Sequence, residues 1–483
     1  MGRPIEPDNE QLRLISRDPE EWVDKSHMAR FINELVNNIP MEEMGFMDPA
    51  SAEGGSYYPA KTLLKAFLYG YIKRIRTLRE LEDACRNRLD FMWLIGERAP
   101  DHNTLWRFMT KHREGLEKLF TSSVRIAVGH GIIRTKLHGV DGTKIQAKCS
   151  YRSAWMRGKL ERKLERIDEE VKGYMDGMMN SDDGESFSLP EALQEQEVLR
   201  AEIRKALSEL DLMERDYMNP HEREARMMKT ESGKDFAYNA QVVVDESSGM
   251  VVAADVVNDE TDKSLLVPML EKARENVGES CDETVADSGY ASGEQLLMAE
   301  EKGFSTIVDL GDYINPPDDE KHRFHTSKFK YDEAKDEFIC PRGERLIFGR
   351  EMIREDRGRI RIYRCGCYRD CPERPLCVKG KGARIIEYGM KQAAVRRQIE
   401  KQKDPSVKKA LRSRFCFVER IFAYLKQHMR FRRWTLSGIT RTRAQWKLMC
   451  AAYNFVKLYK LWVDGKFSFA DLPLKTVIAS QSG

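Results

Sequence analysis

The chain has 483 residues, of which 41% are hydrophobic and 33% are charged, and its formal net charge is +3. This composition is typical of a folded water-soluble protein, and no apolar run approaches the ~18 residues of a membrane span, so a membrane protein is excluded. The length predicts about two to four structural units. The first residues lack the pattern of an export signal, so we expect a reducing cytoplasm in which the ten cysteines form no disulfides.

The charge is unevenly distributed along the chain. Residues 384–460 contain 20 Lys and Arg against 4 Asp and Glu, whereas residues 255–320 contain 18 acidic residues against 4 basic ones. A basic segment beside an acidic one indicates a polyanion-binding surface next to a cation site, as in enzymes that cut nucleic acids with metal ions. Two solvated faces that neutralise each other explain the charge pattern equally well.

The N-terminal region, residues 1–130, has apolar residues at helical spacing from Met28 onwards. A break at GERAPDHN separates two of its helices. This predicts a DNA-binding helix-turn-helix that presents Asn103 and Arg107 to the major groove, or else a plain helical bundle with Trp106 in its core.

Strand and helix patterns alternate in the middle of the chain. Residues 131–150 predict a strand that ends near Asp141. Residues 151–235 contain two charged helices with apolar residues at heptad spacing, which predict an inserted antiparallel hairpin; an oligomerisation element is the alternative. Residues 236–314 predict a β-hairpin, a helix, a strand ending at Asp287, a helix and a strand. This order predicts an α/β fold with a mixed sheet.

Residues 315–400 interrupt this pattern and contain five of the ten cysteines. A structural zinc ion needs four thiolates, and the candidates are Cys340, Cys367, Cys371 and Cys377, with Cys365 as a substitute for Cys340. Because the spacing is irregular, reduced free thiols and a redox role are the alternatives.

Residues 401–465 predict basic helices, and residues 466–483 predict a loose tail. Arg412 and Lys426 each lie seven residues from Glu419, close to two helical turns, so the three side chains share one face of an α-helix. The same geometry rotates Arg414 away from Glu419 by roughly 140°.

A further candidate for DNA binding is the aromatic side chain at position 434. Trp434 follows Arg432 and Arg433, and it either stacks on a base at a distorted DNA end or packs in the core.

Three acidic residues, Asp141, Asp287 and Glu419, are the strongest candidates for catalysis. Two strand-end aspartates can meet at one edge of a sheet, and a glutamate on a late helix can pack across that edge. Oxygen ligands suit Mg²⁺ or Mn²⁺. Two such ions about 4 Å apart promote in-line displacement at phosphorus. The alternative for a single aspartate at a strand end is a turn residue.

The segments VDGTKIQAK, VADSGY and FCFVERIFAYLK resemble, in this order, the DDE transposases of bacterial insertion sequences, and the resemblance covers nearly the whole chain. It implies a ribonuclease H-like catalytic core after an N-terminal helical domain. It also implies that Asp141, Asp287 and Glu419 form the catalytic, metal-binding triad and that Lys426 contacts DNA. Many members have a tyrosine and an arginine where this chain has Arg412 and Phe415, so Arg412 and Arg414 are candidates for the phosphate contact.

The resemblance further implies a function. The protein would bind the terminal inverted repeats of its element and target double-stranded DNA as a homodimer, cut the strands and join them to new DNA. Its place would be the bacterial cytoplasm, at the nucleoid and away from membranes. The alternatives are a catalytically silent DNA-binding regulator and a metal-dependent nuclease that cuts without joining.

Overall fold

The computed structural model describes residues 18–48, 57–179, 191–354 and 358–470. In these residues a helical N-terminal region precedes a mixed sheet, a second smaller sheet and a helical C-terminal region. This confirms the α/β class. Among the described helices, none combines the length and the apolar character that crossing a membrane requires.

The N-terminal region is helical, as its apolar spacing predicts. Phe31, Phe67 and Leu119 are buried in the same hydrophobic core as the residues of the mixed sheet. The bounds of the helices are α1 Met28–Asn38, α2 Ala60–Ile72, α3 Leu78–Asn87, α4 Leu89–Ile95, α5 His102–Lys111 and α6 Arg113–Gly129.

Strand β1 (Leu137–Gln146) leads into a helical hairpin, as the heptad spacing predicts. The two helices bury Leu160, Ile167, Ile203 and Leu210 between them. The turn that we predicted between the helices, residues 180–190, lies outside the described residues. The hairpin consists of β2 Trp155–Met156, α7 Arg157–Met179, α8 Glu191–Leu212 and β3 Tyr217–Met218.

The remaining elements of the mixed sheet follow the hairpin, with bounds β4 Arg226–Thr230, β5 Gly233–Asp245, β6 Val251–Val257, α9 Leu266–Val277, β7 Glu283–Ala286, α10 Gly293–Glu301, β8 Thr306–Val308 and α11 Gly311–Ile314. The strand order is β4-β5-β1-β7-β8, and β6 pairs with β5. Strand β5 runs antiparallel to β1, β4 and β6. Strand β7 runs parallel to β1 and β8.

The prediction that the first strand ends near Asp141 was wrong. Strand β1 continues to Gln146 because β5 pairs with it along its whole length, up to the pair of Gln146 with Ala237. Asp141 therefore lies in the middle of β1. Asp287 directly follows the last residue of β7, as predicted.

The cysteine-containing region forms a five-stranded antiparallel sheet around its own small core, which includes Phe338 and Tyr363. Its elements are β9 Lys330–Asp332, β10 Glu337–Ile339, β11 Arg345–Arg354, β12 Gly358–Cys365, α12 Arg374–Cys377 and β13 Ile385–Tyr388.

The C-terminal region is helical and packs on both earlier parts, with α16 against α6 and β6. The prediction of a loose tail was wrong for Phe467 and Phe469, because both are buried and pack against Phe31 with tilted rings. Residues 471–483 lie outside the described part. The helices are α13 Met390–Lys401, α14 Pro405–Arg414, α15 Arg420–Ala423 and α16 Ile439–Val463.

A glycine of β1 fixes the distance between the sheet and the helical segment after α14. A Cβ atom at Gly139 would lie 2.5 Å from Val418 Cγ2 and 2.6 Å from Phe417 Cε2. We predict that Gly139→Ala lowers the free energy of unfolding by about 1 to 3 kcal/mol, because overpacking forces the two elements apart. The measurement is the urea unfolding midpoint.

Gly158→Ala is the matched control. Gly158 is exposed in α7, and nothing lies within 4 Å of its added Cβ atom. Alanine favours a helix over glycine, so this variant should be neutral or more stable by about 0.5 to 1 kcal/mol. Equal midpoints for both variants would contradict the close packing at Gly139.

Candidate active site

The two predicted aspartates lie side by side on neighbouring parallel strands. Val140 is the register partner of Ala286, and each aspartate is the next residue in its chain. Parallel strands are about 4.8 Å apart, so the two carboxyl groups share one small region. Strand β7 ends at Ala286 whereas β1 continues to Gln146, so beyond Ala286 no residue of β7 lies beside β1.

Both carboxyl groups are largely buried. Burial raises the pKa of Asp141 to about 6; Arg414 opposes this rise, and Asp287 adds to it. Burial also raises the pKa of Asp287, and Arg414 again acts in the opposite direction. Two acids that are removed from water and placed together therefore need a nearby cation to stay ionised.

The guanidinium of Arg414 supplies positive charge at this position. Its Nη1 donates a hydrogen bond of 2.8 Å to Asp141 Oδ2, and the Arg414 side chain is 6% exposed. The other oxygen of Asp141, Oδ1, accepts from the backbone amide of Gly142 at 2.7 Å.

The helix that follows Arg414 departs from α-helical geometry, and this corrects the predicted faces. Residues Phe415–Glu419 form a π-helical turn, and Tyr424–His428 form another. Hydrogen bonds in a π-helix join residues five positions apart, so Arg414 lies about one turn before Glu419. Arg414 contacts Asp141, whereas Arg412 is exposed.

Lys426 ties the far end of the same helical segment to β1. Its Nζ donates to Thr143 Oγ1 and to Glu231 Oε1, both at 2.6 Å. Thr143 is two residues after Asp141 and lies on the same face of the strand. The segment from Arg414 to Lys426 therefore spans the Asp141 face of β1, with Glu419 between its two points of attachment.

Glu419 is exposed, and its side chain makes no hydrogen bond or ion pair within the described part of the chain. Across the described ranges, no three His, Cys, Asp or Glu side chains are grouped in a way that could hold a metal ion. The structure thus brings Asp141 and Asp287 together and places Glu419 on an adjoining helix. The complete triad stays a prediction.

Two of the other predicted DNA contacts, Trp434 and Arg433, donate hydrogen bonds to backbone carbonyls of the protein itself. Trp434 is buried, and its Nε1 donates to the carbonyl of Ile145 at 3.1 Å, which matches the core alternative. Arg433 donates to three successive carbonyls after β1, those of Ala147, Lys148 and Cys149. Arg432 is exposed.

The predicted recognition helix, α5, begins with a side-chain cap. Asp101 Oδ1 accepts from the amide of Thr104 at 2.7 Å. Asn103 and Arg107 are exposed one turn apart. Trp106 is 40% exposed, so the predicted alternative with Trp106 in the core is wrong.

The five cysteines of the second sheet lie near one another. Cys365 Sγ is 3.3 Å from Cys367 Sγ. Burial raises the pKa of Cys377, and Cys340, Cys371 and Cys365 raise it further. None of the five forms a disulfide bond.

A fourth acid beside the two aspartates, Asp262, was not predicted. It accepts hydrogen bonds from Lys144, Asn239 and Gln241. Its position in the acidic run NDETD, directly after the predicted hairpin, is the only signal for it in the sequence.

Two protein-family profiles match the chain. Residues 17–111 match a family described as "Transposase domain (DUF772)", and residues 339–459 match a family described as "Transposase DDE domain". The second match includes Glu419, Lys426 and the cysteines from Cys340 to Cys377. Comparison with curated proteins and with solved structures gave no match.

These two matches occur in the order that a transposase with an N-terminal helical region requires, and they agree with the resemblance of the motifs. The two matches together support a DDE transposase of an insertion sequence. Transposases of this kind act on DNA and generally use divalent metal ions. Asp141 and Asp287 lie between the two matched segments.

His138, near the start of β1, is buried and is no candidate for a catalytic base. Burial lowers the pKa of His138 to about 4, although Asp245 acts in the opposite direction. In the unfolded chain the pKa of histidine is about 6.5, so between about pH 6.5 and about pH 4 the unfolded state binds more protons than the folded state, and lowering the pH favours unfolding.

We predict that the free energy of unfolding of wild type, relative to that of His138→Gln, decreases as pH falls from about 6.5 to about 4.

Urea unfolding of both proteins between pH 4.5 and 8 measures this difference, which should be constant above about pH 6.5. His221→Gln, at an exposed histidine, is the control and should show no such trend. A difference between wild type and His138→Gln that does not vary with pH would contradict the assignment.

Proposed function

We propose that the protein cuts DNA at the terminal inverted repeats of its own element and joins the freed 3′ ends to target DNA. The observation that carries this proposal is the pairing of Asp141 with Asp287 under the helix that bears Glu419. Arg414 and Lys426 fasten that helix to the same strand face. Two paired carboxylates, with a third on the adjoining helix and two cations beside them, would suit phosphoryl transfer once Glu419 turns toward the pair.

The donor groups fit a pair of magnesium or manganese ions. Asp141, Asp287 and Glu419 offer only oxygen atoms, which hard divalent cations prefer, and burial of the two aspartates favours the arrival of positive charge. Two such ions, when bound, would activate the attacking oxygen and stabilise the leaving oxygen. Glu419 has to turn toward the aspartates to complete the set.

The basic residues of the site would hold the DNA. Arg414 is placed to exchange its bond with Asp141 for a phosphate oxygen, since a guanidinium binds either group with similar geometry. Arg412 and Arg432 are exposed on the same basic region and would contact the backbone. Lys426, next to Thr143, would contact a phosphate beside the cut.

We assign the parts of the chain as follows. The mixed sheet, residues 131–150 and 236–314 with the helices of 401–465, forms the catalytic core with a ribonuclease H-like fold. The helical hairpin of 151–235 and the cysteine-containing sheet of 315–400 are insertions into that core. Residues 1–130 would read the inverted repeat through Asn103 and Arg107.

The proposed reaction also bears on the oligomeric state of the protein. Two ends have to be cut together, so we propose a homodimer on DNA. The proposed location is the bacterial cytoplasm, at the nucleoid.

The central test replaces the third acid. Glu419→Gln keeps the size of the side chain but removes its charge, so we predict at least about a 100-fold loss of cleavage with DNA binding nearly intact. The assay incubates the protein with supercoiled DNA that carries the gene and its flanks, in Mg²⁺ or in EDTA. Sequencing maps the cut ends and any joined products.

Glu400→Gln, at an exposed glutamate of α13, is the matched control and should cut like wild type. Loss of both cutting and binding in Glu419→Gln would make Glu419 a structural residue. Metal-dependent cuts without joined products would favour a nuclease. Tight binding by wild type without cuts in Mg²⁺ or Mn²⁺ would favour a silent regulator.

Zinc binding by the cysteines stays a prediction, with reduced thiols as its alternative. The thiols have suitable chemistry, and the amide of Arg342 donates to Cys340 Sγ at 3.3 Å, as an amide would to a thiolate ligand. With a structural zinc site, the purified protein should contain one zinc per chain by elemental analysis, and Cys377→Ser should lose it.

The control variant is Cys416→Ser, because Cys416 is exposed and lies outside this group. It should keep its zinc. A wild-type protein without zinc, in which the five thiols of the second sheet all react with a thiol reagent, would support the alternative.

A further inference from the structure

Asp262 lies in the connection between β6 and α9, and one of its carboxylate oxygens accepts three hydrogen bonds. Its Oδ1 accepts from Lys144 Nζ at 2.9 Å, from Asn239 Nδ2 at 2.6 Å and from Gln241 Nε2 at 2.8 Å. Lys144 Nζ also lies 3.2 Å from Oδ2. Three donors from two strands thus converge on one carboxylate.

These donors adjoin the backbone next to the first candidate aspartate, on the opposite face of β1 from its side chain. Lys144 is three residues after Asp141 on β1, and Gln241 is the register partner of Gly142 on β5. A Cβ atom at Gly142 would lie 2.1 Å from Gln241 Nε2, so the amide rests against the backbone next to Asp141. Only glycine at position 142 leaves room for this amide.

The same amide reaches the second aspartate. Gln241 Oε1 accepts from the hydroxyl of Tyr290, a fully buried residue in the short turn that begins at Asp287. A Cβ atom at Gly289 of this turn would lie 3.0 Å from Asp287 Oδ1 and 3.5 Å from Asp262 Oδ2. Asp262 and Asp287 therefore border the same point from two sides.

A partly buried network of this kind is rigid when all of its groups are satisfied, and it is costly to break. Here one continuous path runs from the Gly142 backbone through Gln241 to Tyr290, and Asp262 holds the path together. The ammonium of Lys144 balances the charge of Asp262, so this additional acid can lie near Asp287 and Asp141.

We propose that Asp262 is a positioning residue of the candidate active site, which sets the separation of Asp141 and Asp287 and thereby the affinity for divalent cations. This inference rests on the proposed function. In this proposal Asp262 acts through Gln241 and Tyr290 rather than as an ion ligand, because Lys144 and two amides already occupy its Oδ1 and Lys144 also reaches its Oδ2.

The experiment titrates the full-length protein with Mn²⁺ and follows binding by electron paramagnetic resonance. Asp262→Ala removes the acceptor that joins the three donors, although Gln241 Nε2 keeps Asn239 Oδ1 and Asn239 Nδ2 keeps the Asp259 carbonyl. We therefore expect Mn²⁺ affinity to fall about 10- to 100-fold, as for losses of groups that orient metal ligands. Asp262→Asn keeps an oxygen at the same place and should restore affinity to within about threefold of wild type.

A second variant and a control complete the design. Tyr290→Phe removes only the hydroxyl that holds Gln241, and it should weaken Mn²⁺ binding about tenfold. Asp259→Asn, at an exposed acid of the same connection, should bind like wild type. Thermal unfolding of each variant shows whether the fold is kept.

The outcomes separate this inference from the proposed function. Mn²⁺ binding by wild type that survives both Asp262→Ala and Tyr290→Phe would overturn the positioning role alone. Equal losses in Asp262→Asn and Asp262→Ala would make Asp262 a ligand. Loss of the fold in Asp262→Ala with unchanged binding in Tyr290→Phe would make its role purely structural. No Mn²⁺ binding by wild type would overturn the proposed function as well.

Discussion

The parallel pairing of β1 with β7 is the constraint on which the candidate site depends. It puts Asp141 and Asp287 side by side and out of water, where two negative charges repel each other and lose hydration. The surrounding structure answers this with positive charge and hydrogen bonds. Arg414 reaches Asp141 from the helix above the sheet, and the Asp262 network braces both strands from the connection below.

The same constraint explains why the helix after α14 deviates from regular geometry. Gly139 lets Phe417 and Val418 pack directly on β1, while Arg414 and Lys426 hold Asp141 and Thr143 farther along the strand. The π-helical turns let one helical segment meet all of these contacts. Such turns occur often at functional sites, because the added residue re-aims side chains without breaking the helix.

Much of the fold and of the site could be predicted because it rests on local patterns. Heptad spacing predicted the helical hairpin, and the short apolar run before Asp287 predicted a strand that ends at this acid. Features set by distant contacts could not be predicted: β1 is longer than expected because β5 supports it, and Arg414 replaces Arg412 because the helix is not α-helical there. The role of Asp262 could not be predicted because its hydrogen-bond partners come from two other strands.

The charge of Arg414 links these observations. An arginine that neutralises Asp141 stabilises the buried pair of acids when no metal ion balances them, yet it occupies an oxygen that an ion would use. Binding of a divalent cation would therefore release the guanidinium at the point where a DNA phosphate arrives. The cation would then favour phosphate binding and the phosphate would favour cation binding, because the cation would bind Asp141 in place of Arg414 and the phosphate would bind the freed guanidinium. This exchange would make occupation of the site by metal ions and by DNA cooperative.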